Sequence, residues 1–160
     1  MTKTQRYLLL VPQVGLTVCA AFWAAVAWTE TSTVEPALAK TFQDADLKWG
    51  PCPPFLPEGC GIAVVHGDPS KPNVDVFFKV PAGSKIAPHT HTSAERMVLV
   101  SGRLEVKYEG QAAQLLKVGS YAYGPAKRVH EATCHKGAPC VLFIAFESPL
   151  DAAAYNGEVK

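Results

Sequence analysis

Residues 88–102 read PHTHTSAERMVLVSG, and the chain is best understood outward from them. The stretch sets two of the five histidines, His89 and His91, one residue apart, with Glu95 close behind. An apolar run, RMVLV, and the pair Ser101-Gly102 follow. Side chains alternate along a strand, so residues of equal parity share a face. His89, His91 and Glu95 are all odd, and in an extended segment they point to one side. Imidazole nitrogens and carboxylate oxygens are the usual ligands of first-row divalent metals. His130, in AKRVHEATC, is a fourth candidate, because a distant strand of an antiparallel barrel can return beside the first. Three imidazoles and one carboxylate around an octahedral ion leave two positions open, which distinguishes a working metal site from a closed structural one.

The flanking sequence reads as short strands separated by turn residues. IAVVH, VDVFFKV, RMVLV, RLEVKYE, AAQLL, SYAY, RVHEATC and CVLFIAF alternate with DPSKPN, VPAGSK, YEGQ, KVGS, YGPAK and CHKGAP. In RLEVKYE the alternation is clean, with Leu104, Val106 and Tyr108 opposite Arg103, Glu105, Lys107 and Glu109. Ser101-Gly102 is a two-residue hairpin signal between RMVLV and RLEVKYE. Strands at this spacing argue for an all-β sandwich or barrel. The barrel is expected over residues 60–150. No helical pattern of useful length follows residue 40, and there is no internal repeat. Residues 40–59 are too rich in proline for a helix or central strand and are expected to form an ordered arm. Residues 151–160 are expected to be a fraying tail. The run Val141–Phe146 is apolar on both faces, so its outer face needs cover from the arm or from a second subunit.

At the N-terminus, Lys3 and Arg6 precede an uncharged run from Tyr7 to Trp28, with small-x-small triplets at Ala25–Ala27 and Ala37–Ala39. Residues 1–39 therefore read as a secretory signal peptide cleaved after Ala39, or as an uncleaved membrane anchor, since the run approaches bilayer length. Either way the folded part is expected outside the cytoplasm, periplasmic or secreted, touching a membrane only through that segment. Beyond Cys19 there are four cysteines, Cys52, Cys60, Cys134 and Cys140, an even count that suits an oxidising compartment. Three pairings are possible. Cys52–Cys60 and Cys134–Cys140 are favoured, because each brackets a Pro/Gly loop. Neither pair has the C-x-x-C spacing of a zinc site. The net charge of +1 and the lack of a Lys/Arg cluster give no case for nucleic acid.

Written with its spacings, the opening stretch is Gly83-x5-His89-x-His91-x3-Glu95-x6-Gly102, which resembles the first signature motif of the cupin superfamily. The second motif is matched in part by Gly119-x5-Pro125-x-Lys127-x2-His130-x3-Cys134. Lys127 stands where that family usually has glycine, and Cys134 where it usually has asparagine. The resemblance covers about residues 60–147 and extends to small bacterial cupins described as ChrR-like or quercetin-dioxygenase-like. It implies a single jelly-roll β-barrel, with metal ligands at His89, His91, Glu95 and His130. Gly83 and Gly102 are expected at tight turns with positive φ. His66 and His135 are read as packing or surface residues. Cys134 shares parity with His130, so a thiol near the metal is the rival to its disulfide.

The resemblance further implies one divalent metal (iron, manganese, nickel, cobalt, copper or zinc) and a small oxygen-bearing organic ligand or substrate. A dioxygenase-like enzyme fits best. A lyase, isomerase or decarboxylase acting on a small carboxylate, and a non-catalytic metal or ligand sensor, are the alternatives. Tyr121, Tyr123 and Arg128 are the candidate catalytic groups of the pocket wall, with Met97 and Leu99 beside them. Single-domain cupins are often homodimers, and a homodimer is expected here.

Overall fold

The computed structural model describes residues 34–160, of which residues 38–160 form one compact unit. The expected signal or anchor falls mainly on residues 1–33, outside the described residues. No helix among the described residues is long and apolar enough to cross a membrane.

Among the described residues eleven strands follow in order: β1 Trp49–Pro51, β2 Gly61–His66, β3 Val74–Val80, β4 Lys85–Thr90, β5 Glu95–Ser101, β6 Leu104–Tyr108, β7 Gln114–Leu116, β8 Tyr121–Gly124, β9 His130–Cys134, β10 Cys140–Phe146 and β11 Ala153–Ala154. They form two antiparallel sheets. One has the order β1-β2-β3-β10-β5-β8 and the other β11-β4-β9-β6-β7. This is the all-β architecture expected from the alternation, in the jelly-roll form that the cupin resemblance implied. The inward sides pack together through Val74, Val76, Val80, Leu99, Leu104, Val106, Leu142 and Ile144, all buried.

The turn at Ser101-Gly102 does not close a hairpin. β5 pairs with β10 and β8, whereas β6 pairs with β9 and β7, so the turn carries the chain from one sheet to the other. Gly102 has φ 81°, and a Cβ there would meet the Pro139 carbonyl oxygen at 2.7 Å and the Cys140 Cα at 2.9 Å. Only glycine satisfies both demands. The same crossing occurs between β9 and β10. Cys134 and Cys140 are bonded, Cα–Cα 5.8 Å, and this disulfide ties the two sheets together rather than the arms of one hairpin. Cys52–Cys60 is also formed and closes the proline-rich loop of the arm.

That arm supplies the cover the outer face of β10 requires. Phe143 packs edge-on against Phe77, centroids 6.2 Å apart, and Phe42 of the arm packs on Phe77 at 6.5 Å. The C-terminal residues do not fray. Ala153 and Ala154 pair with Thr90 and His89, the Tyr155 amide donates to the Pro88 carbonyl at 2.9 Å, and Val159 is buried. Their sequence lacks strand propensity, so the order comes from partners that lie far away in the chain.

Candidate metal centre

The first two ligand candidates owe their aim to an irregularity. Lys85 and Ile86 of β4 oppose Thr133 and Ala132 of β9, but the next paired residue is His89, opposite His130. One extra residue is accommodated at Ala87-Pro88. Pro88 brings no amide proton to the ladder, which suits a bulge. The bulge switches parity. Ile86 points inward before it, and His89 points inward after it, both buried. Without it, Pro88 would face His130.

β4 ends at Thr90, and His91 stands in the turn that crosses to the other sheet. Glu95 then opens β5, between Gly124 of β8 and Phe146 of β10. The extended reading of the whole His89–Glu95 segment is thus corrected: the three residues converge because the chain turns, not because they share a strand face. The turn is well held. The Ser93 hydroxyl donates to the Ala94 carbonyl (2.7 Å) and accepts from the amides of Glu147 (2.8 Å) and Ser148 (3.0 Å). Asp151 accepts from the Thr92 amide (2.9 Å) and hydroxyl (2.6 Å). The Lys127 amide donates to the His91 carbonyl (2.8 Å).

His89, His91 and His130 offer ligand atoms that lie within 4.8 Å of one another. Glu95 joins them, with Oε1 3.3 Å from His91 Nε2 and Oε2 3.4 Å from His130 Nε2. Each imidazole is oriented by a backbone carbonyl. His89 Nδ1 lies 2.8 Å from the Ala87 oxygen, His130 Nδ1 3.1 Å from the Arg128 oxygen, and His91 Nδ1 against the Asp151 oxygen. A carbonyl only accepts, so each Nδ1 carries the hydrogen and each Nε2 presents a lone pair inward. This is the arrangement by which metal-ligating histidines are held.

Electrostatics agree. Burial, reinforced by the adjacent His91, lowers His89 to about 4. Burial and His89 together lower His130 to about 3. Both imidazoles are neutral at ordinary pH. Burial raises Glu95, and His91 acts in the other direction. The carboxylate is 4% exposed, and no lysine or arginine lines its cavity. Bare nitrogen lone pairs facing buried carboxylate oxygens repel unless a cation lies between them. The buried His91 Nε2 has no hydrogen-bond partner. The donor set fits a divalent transition metal: three neutral imidazoles and a carboxylate, already oriented.

The four groups occupy one end of a cavity of about 290 Å³ between the sheets. Its walls are apolar and include Ile62, Val76, Phe78, Met97, Leu142, Ile144 and Phe146. The arm contributes Pro51, Pro53 and Leu56, and Phe55 packs against His89 with centroids 6.0 Å apart. The C-terminal segment contributes Leu150, Asp151 and Ala152. None of these arm or C-terminal residues was singled out from the sequence. The loop CPPFLPEGC was a usable signal for the arm, and nothing local marks Asp151.

Of the candidate catalytic side chains, Tyr121 and Tyr123 point out of β8 into solvent, 61% and 50% exposed. β8 is an edge strand, and its inward positions are Ala122 and Gly124. Arg128 is half-buried and lies outside the cavity lining; its carbonyl, not its guanidinium, serves the site. Met97 lines the cavity, and Leu99 is fully buried in the core beyond it. Tyr108, opposite His130 on β6, is buried, and its hydroxyl has no partner. Burial and the nearby Glu95 raise its pKa. The Cys134 thiol is consumed by its disulfide.

The DMSP lyase DddQ from Ruegeria pomeroyi DSS-3 superposes with a TM-score of 0.60 and 19% identity, over 70% of this chain and 64% of the lyase. The chain therefore spans under two thirds of the lyase's length. An RmlC-like cupin from Shewanella frigidimarina NCIMB 400 gives 0.55 and 18%, over 70% of this chain and 93% of that one. KdgF from Halomonas sp. gives 0.51 and 23%, over 62% and 87%. At these identities the likeness is one of fold. No curated protein matches the sequence. The family described as ChrR Cupin-like domain matches residues 39–149, well over half the chain. The protein belongs to that family, within the cupin superfamily.

Proposed function

We propose that the protein is a metal-dependent enzyme acting on a small oxygen-bearing organic substrate, and that its reaction is dioxygenation. The observation that carries this reading is the set of three oriented Nε2 lone pairs and one buried carboxylate at the head of a substrate-sized cavity. His89, His91, Glu95 and His130 would hold one divalent metal. A metal there supplies Lewis acidity and, for iron, manganese, nickel, cobalt or copper, electron transfer.

The residues of the chain orient and exclude. The three carbonyl contacts lock the imidazoles. Phe55 and the apolar walls keep water from the head of the cavity and position an organic body against it. Dioxygenation places both oxygen atoms in the product, so a substrate that arrives already ionised, such as a 1,3-diketone enolate, needs no further proton-transfer group from the protein. A lyase or isomerase needs a base beside the metal. Apart from the proposed ligands, the one ionisable group lining the cavity is Asp151, and its carboxylate is engaged by Thr92. That favours oxygenation over proton abstraction.

The proposal includes export, which the two disulfides support. It also includes a homodimer, which the exposed Leu115, Val118, Tyr121 and Tyr123 on β7, β8 and the turn between them support. Oxygen uptake tests the reaction class. Protein loaded with iron(II), manganese(II), nickel(II) or zinc(II) is mixed with 1,3-diketones in an oxygen-electrode cell. Uptake matched to substrate loss with a redox-active metal, and none with zinc, is expected. Substrate loss without uptake would overturn dioxygenation in favour of a lyase.

A further inference from the structure

The walls of the cavity say what kind of molecule it takes, given the proposed metal centre at its head. Apart from the four head groups, the lining is hydrocarbon almost throughout, with Ile62, Phe78, Ile86, Met97, Leu142 and Ile144 among its members. Neither lysine nor arginine reaches it. Its acidic groups are Glu95 and Asp151, both carboxyls, and the imidazoles of His89 and His130 are neutral. A second anionic group on a ligand would leave the metal and find no cation, only apolar wall and like charge, at a large desolvation cost. A polyhydroxylated ligand would leave its hydroxyls without partners.

Size sets the other limit. A cavity of about 150 Å³ accepts benzene, with its six carbons. By proportion, 290 Å³ takes a body of about twelve non-hydrogen atoms.

We infer that the site binds an amphiphile of about twelve non-hydrogen atoms or fewer, with one apolar body and a single two-oxygen head bearing one negative charge. The head meets the metal between His89, His91, Glu95 and His130, and the body lies along β3, β5 and β10. Enolates of 1,3-diketones and medium-chain carboxylates share this chemistry. Oxalate and sugar acids do not.

The test uses full-length protein loaded with cobalt(II), whose visible absorption reports ligation of the head. Cobalt content is measured first. It is then titrated with pentane-2,4-dione, octane-2,4-dione and dodecane-2,4-dione, with butanoate, octanoate and dodecanoate, and with oxalate and galacturonate. Affinity is expected to rise about fourfold per added methylene, the transfer value for buried CH2. It should level off near twelve non-hydrogen atoms. The better of the two homologous series identifies the head. Affinity independent of chain length, or tightest binding of oxalate or galacturonate, would overturn the inference while leaving the metal centre standing. Failure to bind cobalt at all would overturn the metal centre and the inference with it.

Discussion

His89 and His130 face each other across the β4–β9 ladder with ring centroids 4.1 Å apart, two buried imidazoles in contact with no protonated partner between them. This pairing makes the metal-free protein sensitive to acid. In the unfolded chain both imidazoles take up protons near pH 6.5, whereas in the fold they resist to about 4 and about 3. Between those values the unfolded state holds more protons, so stability falls as pH falls. Glu95 acts oppositely. Its folded pKa is raised by burial above the ordinary carboxylate range, so the fold keeps this proton longer than the unfolded chain does and acid helps it. The two imidazoles outnumber the single carboxyl, so the net effect of acid is destabilising. From pH 6.5 to 4.5 chelator-treated protein should lose on the order of 2–4 kcal/mol, less the more firmly Glu95 holds its proton. Melting temperature against pH measures this. A flat profile, or one rising toward acid, would contradict the buried neutral pair.

Lys127 sits at φ 62°, in the left-handed region, at the position where the cupin motif usually has glycine. A side chain there costs about 1–2 kcal/mol, part of which glycine returns through its looser unfolded chain. Lys127→Gly should therefore stabilise the protein by about 0.5–1 kcal/mol, or a few degrees in melting temperature. Lys127→Val should do the reverse. The amide bond to the His91 carbonyl is retained in both variants, so metal content is expected to hold. A destabilised glycine variant would show that the lysine side chain earns its place by a contact.

The Cys134–Cys140 bond joins β9 of one sheet to β10 of the other. Closing a loop of this length restricts the unfolded chain by about 2 kcal/mol. The Cys134→Ala/Cys140→Ala double variant should melt lower by that amount in denaturant titration. Unchanged stability would mean that the sheets are held without the clasp.

Phe42 carries the cover of the outer face of β3 and β10. Phe42→Ala should cost about 1–2 kcal/mol for a partly buried aromatic and expose Phe77 and Phe143. Thermal unfolding and light scattering read the two effects. If neither changes, the arm is not the cover and a second copy of the chain becomes the better occupant.

The strands were legible because the sequence alternates cleanly and its turns are marked by glycine and proline. VDVFFKV and CVLFIAF are β3 and β10 to the residue. The convergence of His89, His91, Glu95 and His130 was legible too, although for an incomplete reason. Parity along one strand suggested it, whereas a bulge at Ala87-Pro88 and a crossing turn produce it. Both depend on pairing with β9 and on hydrogen bonds from Glu147, Ser148 and Asp151, which lie far away in sequence. The same holds for Ser101-Gly102, whose local chemistry marks a turn but not which sheet the next strand joins. Tyr121 and Tyr123 were expected in the pocket wall, but the strand reading of SYAY does not say which of its faces turns inward. On an edge strand, outward positions serve as well, and the site contributions of Phe55 and Asp151 have no periodic signal at all.

Metal content tests the central claim most directly. Full-length protein purified from the cells that make it, without added metal, is analysed for transition elements beside His91→Ala and His130→Ala. One divalent metal ion per chain in the parent, and strong depletion in both variants, is the predicted result. Equal metal in all three proteins, or none in the parent even after loading with the six candidate metals, would contradict the account.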